Sequence, residues 1–149
     1  MNKLLFALAV FIVMICPLGL IAQKQTGTVA RTINTTNIPP VQYGIASFYD
    51  NKFEGRLTSN GEVFTQKKLT AASNTLPLNC WVKVTNLKNN RSVIVRITDR
   101  MHHKNKRLID LSRSAASKLA YIGKGLTRVK VEYLGKKKPG ELAAGKANK

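Results

Sequence analysis

At 149 residues the chain has room for one principal domain and not for two sizeable cores. Apolar residues at 44% and aromatics at 7% can fill a small core, which excludes wholesale disorder, and no unit of ~20–50 residues repeats, which excludes a solenoid. Twenty-five Lys and Arg against seven Asp and Glu give a net charge of +18, a field that favours polyanionic partners: nucleic acid, anionic lipid or an anionic cell wall.

Lys3 precedes an uncharged run, Leu4–Ala22, that carries Cys16-Pro17 and ends on a small residue. That layout predicts a secretory signal peptide over 1–22 with cleavage after Ala22. Two alternatives stay open: lipid attachment at Cys16, against which the large Ile15 stands, and a retained anchor, for which the run is barely long enough. Export predicts a periplasmic or cell-envelope protein with no stable membrane insertion once the signal is removed. Loss of Cys16 leaves Cys80 alone, so neither an internal disulfide nor a cysteine-based zinc site is expected. Cys80 beside Trp81 reads as a small buried hydrophobe, with a reactive thiol as the alternative. Nothing matches a helix-turn-helix or zinc finger, so nucleic acid is not an expected partner.

Residues 23–42, rich in Thr, Asn and Gln and ending near Pro39-Pro40, read as an extended leader. From there to residue 135 the pattern is of short strands. Ile45–Tyr49 is the first; Trp81–Thr85 and Ser92–Ile97 flank an Asn89-Asn90 turn and read as a hairpin; Arg128–Leu134 alternates with period two. One helix is predicted over Arg113–Tyr121, with Ser112 as its N-cap and Gly123 as its stop. Residues 136–149 carry five Lys and one Glu and read as a basic tail, a nonspecific anchor to anionic material or a solubilising end. Short strands, frequent turns and one helix predict a mainly β domain over 43–135, a small barrel rather than an open parallel sheet.

Seven segments carry a resemblance: Gly44–Tyr49, Phe53–Glu62, Leu69–Ala72, Thr75–Leu78, Val82–Leu87, Val95–Arg100 and Ile109–Ser112. In order and spacing they resemble the rare lipoprotein A family of septal lytic transglycosylases. The resemblance implies a six-stranded double-psi β-barrel, related to expansins and barwin-like proteins, with one or two short helices. It implies action on peptidoglycan glycan strands by endolytic cleavage between N-acetylmuramic acid and N-acetylglucosamine, with a 1,6-anhydro product; a monomer without cofactor is expected. The family's catalytic carboxylates fall on Glu62 and Asp99, and related barrels add Asp110. Tyr49, Thr58, Ser73, Arg96, Arg100 and His103 are the expected substrate contacts.

The chemistry independently calls for carboxylates. In lytic transglycosylation the sugar's own 6-hydroxyl attacks, so one carboxyl can take a proton and return it. Each has a plainer alternative: Asp99 as ion-pair partner of Arg96 or Arg100, Asp110 as an acceptor that fixes a turn, Glu62 as a solvated turn residue. Tyr49 and Phe48 offer sugar-stacking faces or core aromatics. Two positions depart from the family: Ser73 stands where a His is common, and Met101–Arg107 replaces a Gly-Pro-aromatic loop. His102 or His103 could stand in for that His, although an exposed basic loop is the simpler reading. No third ligand accompanies the His pair, so no metal is expected. The alternative to the enzyme is a noncatalytic, expansin-like peptidoglycan-binding module in which the Arg and Lys residues meet peptide-stem carboxylates.

Overall fold

The computed structural model describes residues 37–140. The expected signal peptide over 1–22, the leader up to residue 36 and the tail beyond residue 140 lie outside the described residues. Six strands run in the order β1 (Val41–Phe48), β2 (Thr70–Ala72), β3 (Trp81–Asn86), β4 (Ser92–Asp99), β5 (Ile109–Leu111) and β6 (Thr127–Gly135), with α1 (Arg113–Lys118) between the last two. Around the closed barrel they are arranged β1-β5-β2-β4-β3-β6. The β1–β5 and β2–β4 pairs are parallel and the other four antiparallel, the expected double-psi arrangement.

Alternation builds this barrel. In β3 and β4 every second residue, Val82 and Val84, Val93 and Val95, points inward, and Val129 and Val131 of β6 meet them. Each such side chain removed from water contributes about 1.5–3 kcal/mol. Ile109 and Leu111 fill the far side, and Ala115, Ala116 and Leu119 of the α1 region join the same core. The hairpin reverses at Asn90, whose φ of 57° lies in the left-handed region that Asn tolerates.

Two sequence expectations change, and two strands are added. β1 begins at Val41, ahead of the alternating run at Ile45, because Val41–Ala46 pairs residue by residue with Thr127–Glu132. β2 and β5 carry no alternation signal, since three residues are too few to display a period. The helix stops at Lys118, not Tyr121, and Ala120 rather than Gly123 makes the reversal at φ 54°. The turn drives Tyr121 into the core, 2% exposed, where its hydroxyl donates to the Ser47 carbonyl at 2.7 Å and its ring meets Phe48 edge-on. Ser112 is the cap as expected, its hydroxyl accepting from the Ala115 amide at 3.3 Å, a contact worth about 1 kcal/mol.

Cys80 is fully buried, and desolvation pushes its thiol up to about 11, with Arg100 opposing. The sign follows from the proton count. Between pH 9 and about 11 the unfolded chain has lost the thiol proton that the folded chain keeps, so rising pH withdraws stability across that window. At pH 8 alkylation of the native thiol by iodoacetamide is expected to run at least about a hundredfold slower than in denaturant. Equal rates would show the thiol accessible and reactive.

Candidate active site

The site is set up by a register defect. Thr70 pairs with Arg96 and Ala71 with Ile97, but Ala72 pairs with Asp99, which leaves Thr98 as an extra residue in β4. Ile97 and Thr98 are therefore both buried, and Asp99 turns outward again. Such a bulge re-aims a side chain. Ala72 also pairs with Asp110 of β5, and Asp110 with Ser47 of β1, so the two aspartates flank one alanine across neighbouring strands. Their Cα atoms lie two strand spacings apart, about 10 Å. The methyl of Ala72 leaves the floor between them open.

That floor belongs to a cleft of about 390 Å³ lined by Tyr49, Asp99, Arg100, His102, Asn105 and Asp110, among others. Asp99 is its best-furnished group. Oδ1 accepts from the Ser59 amide (2.9 Å), the Ser59 hydroxyl (2.6 Å) and the Arg100 amide (2.8 Å), while Oδ2 accepts from the Tyr49 hydroxyl (2.8 Å). Asp99 forms no ion pair among the described residues. The alternative of Asp99 as partner to Arg96 or Arg100 therefore fails: it takes only the backbone amide of Arg100. Burial, and then the Asp99 charge, hold the Tyr49 hydroxyl far above the usual phenol range, so it stays a neutral donor.

Asp110 is differently placed. Its two oxygens receive the Arg107 fork at 2.7 and 2.9 Å, and Oδ2 also accepts from Asn105 at 3.3 Å. The Arg107 guanidinium is correspondingly held above its ordinary range by that hydrogen bond. The clasp ties the 101–107 loop to β5, with Asn74 holding the other end through Met101 and His102. Lys104 and Lys106 remain exposed, whereas the half-buried Arg107 is engaged by Asp110. His102, not His103, borders the cleft; His103 is exposed and lies against His102 with ring centres 4.3 Å apart.

Glu62 stands apart from both aspartates. It closes a tight turn from Leu57 to Val63 in which Gly61, at φ 87°, adopts a conformation that side chains avoid. Its carboxylate, 40% exposed, pairs with Arg96 and accepts from Asn60 at 3.2 Å, so this solvated turn residue is also anchored. The turn joins the two carboxylates, since Ser59 serves Asp99 while Asn60 serves Glu62.

Three expected substrate contacts are corrected by this geometry. Ser73 has no exposed surface; its hydroxyl donates to the Leu108 carbonyl at 3.0 Å, which holds β2 to the approach of β5. Thr58 is 8% exposed and its hydroxyl turns back on Asn60 and the Glu62 carbonyl. Arg100 borders the cleft but spends its guanidinium on the Ser73 and Leu76 carbonyls, at 2.5 and 2.8 Å, and burial lowers its proton affinity. The sequence reading names neither Ser59 nor Asn105 as a site residue, and it gives Arg107 to peptide-stem carboxylates where the structure gives it to Asp110. Ser59 could have been named, as the hydroxyl donor in a turn whose glycine fixes its shape.

Among the described residues no cluster of three His, Cys, Asp or Glu could hold a metal, and no helix is long and apolar enough to cross a membrane.

Residues 41–131 match the family model described as lytic transglycolase. The endolytic peptidoglycan transglycosylase of Haemophilus influenzae is 49% identical over 103 residues, 69% of this chain and 36% of that protein. The chain thus spans well under half the length of the curated relatives it matches. Among solved structures, the Streptomyces papain inhibitor superposes with a TM-score of 0.53 at 22% identity, covering 65% of this chain and 96% of the inhibitor. The Clavibacter michiganensis expansin does so with 0.50 at 17%, covering 63% of this chain and half of the expansin. Both share the barrel.

Proposed function

The chain belongs to the lytic transglycolase family, and from that membership we propose that it is an exported, monomeric protein of the periplasm or cell envelope that cleaves peptidoglycan glycan strands by lytic transglycosylation. The observation that carries the reading is Asp99, an unpaired carboxylate aimed by a bulge into an open cleft and held by Ser59, Arg100 and Tyr49. In the proposed reaction the bond from C1 of N-acetylmuramic acid to the leaving oxygen breaks while C1 bonds to that sugar's own O6. Asp99 takes the O6 proton and returns it to the leaving oxygen, so no water is consumed. Positive charge developing at C1 is stabilised by the carboxylate, and the Tyr49 hydroxyl steadies Asp99 in both protonation states.

Glu62, with Arg96, is the second chemical group, placed along the strand rather than at the same oxygen. Asp110 acts through the loop: its fork with Arg107 fixes the wall that carries His102 and Asn105, and is a positioning device. No cofactor is invoked.

The test is mass spectrometry of soluble products after purified protein meets sacculi and peptide-free strands. Anhydro-ended fragments are expected from at least one substrate. A second reading, a noncatalytic wall-binding module, is favoured by the ion pairs that already occupy Glu62 and Asp110. Clear co-sedimentation with sacculi and no released fragment would establish it in place of the enzyme.

A further inference from the structure

Glu62 and Arg96 also border a larger groove, about 690 Å³, whose other lining residues the proposed reaction does not use. Its floor is set by one row of paired residues: Thr70 beside Arg96, Arg96 beside Trp81, Trp81 beside Gly135. Trp81 is the first residue of β3, half-buried, with Leu69 and Ile94 as apolar neighbours in the lining. Gly135 has no side chain, and a Cβ there would meet nothing within 4 Å, so the space on that side of β6 is open. Lys138 places its ammonium 5.9 Å from the indole centre.

Charge decides what this groove suits. Lys68, Arg96 and Lys138 line it against a single carboxylate, Glu62, which Arg96 already neutralises. Neither Lys68 nor Lys138 enters an ion pair among the described residues. An aromatic ring flanked by Lys138 and Lys68 fits a partner ring that has an apolar face and an anionic substituent. The 59–62 turn stands between this groove and the first cleft, giving Ser59 to Asp99 and Glu62 to the groove. Arg96 and Asp99 both face outward on β4, three residues apart, which is about 10 Å along a strand.

We propose that the Trp81 groove is a second saccharide subsite that takes a pyranose ring bearing a carboxylate, so that one anionic glycan strand lies across both the Asp99 cleft and Trp81. The proposal rests on the reading of the chain as glycan-directed and adds the direction in which the strand runs, the length it needs and the charge it carries.

Trp81 is the single tryptophan of the chain and reports on its own groove. The full chain is titrated with a peptide-free peptidoglycan tetrasaccharide, which carries lactyl carboxylates, and with uncharged N-acetylchitotetraose. Binding is followed by calorimetry, by Trp81 emission and by acrylamide quenching. The anionic tetrasaccharide is expected to shift the emission, shield Trp81 from acrylamide and bind at least about fivefold tighter than the uncharged one. Trp81→Ala should weaken the tetrasaccharide about tenfold and a peptide-free peptidoglycan disaccharide, too short to span both sites, less than twofold, with Trp81→Phe restoring most of the loss. Tyr43→Ala, at an exposed aromatic on the outer face of β1, should change neither.

Heat of binding with unchanged emission and quenching would overturn the subsite while leaving the glycan reading intact. No heat with either ligand and no co-sedimentation with sacculi would overturn both. Emission that moves with protein concentration alone would assign the groove to a second copy of the chain, and would overturn the subsite too.

Discussion

Asp99→Asn is expected to reduce release of anhydro-ended fragments by about 10²–10⁴-fold, the range lost with a proton-transferring or charge-stabilising group. The substitution isolates charge from fold because of how the four donors divide. Three of them converge on Oδ1, where the amide carbonyl of Asn can still receive them. Only the Tyr49 hydroxyl meets the other position, and a hydroxyl can rotate to accept from an amide NH2 where it formerly donated. The thermal midpoint should therefore move little while turnover collapses. Co-sedimentation with sacculi should persist, since the exposed Lys104 and Lys106 are untouched. Product release within tenfold of the parent protein, by quantitative mass spectrometry on the same sacculi, would remove Asp99 from the chemistry and leave Glu62 as the group to test.

The largest loss of stability from a single methyl is expected at Gly44. A Cβ built there stands 2.6 Å from the Leu108 Cβ and 3.1 Å from its Cδ2. The nearer atom is bound to the backbone, so no rotamer change relieves the contact and a strand must move. Overpacking of this kind costs about 1–3 kcal/mol, which for a domain of this size lowers the thermal midpoint by roughly 5–15 °C. The displaced segment matters beyond stability. Leu108 donates its amide to the Ile45 carbonyl and accepts the Ser73 hydroxyl, and it lies two residues before Asp110. Gly44→Ala should consequently loosen the Arg107–Asp110 clasp and lower activity along with the midpoint, as calorimetry and the fragment assay would report. A fall of under about 2 °C would mean that Leu108 yields freely and that the approach of β1 to β5 is not tightly packed.

How much of this was legible in the sequence depends on which physical signal each part emits. Trp81–Thr85, Ser92–Ile97 and Arg128–Leu134 alternate because one face of each meets the core and the other meets water, so they were readable as strands. Thr70–Ala72 and Ile109–Leu111 were visible only through family resemblance, being too short to alternate. Asp99 was identifiable as a candidate, yet not its setting: the bulge at Thr98 is a relation between two strands, and no local pattern announces it. Ser73 and Thr58 looked like surface hydroxyls because nothing local reveals that Leu108 and the Glu62 turn absorb them. The pairing of Glu62 with Arg96, rather than of Asp99 with either arginine, likewise depends on side chains 34 residues apart meeting across the barrel. Trp81 was read as a strand residue beside a buried cysteine and not as a binding group, since the groove beside it is assembled from residues as distant as Glu62 and Lys138.

The neighbours of β1 have a consequence for how the chain acquires its structure. Both are late in sequence: β5 begins at Ile109 and β6 ends at Gly135. During synthesis the first strand must therefore wait, with unpaired amides and carbonyls, until nearly the whole domain exists. Such distant pairing makes assembly slow compared with a helical bundle of equal length. A polypeptide interrupted anywhere before Thr127 has no smaller barrel to fall back on, only a sheet with an open edge inviting association with another chain. Assembly is thus a single terminal event, governed by arrival of the last strand.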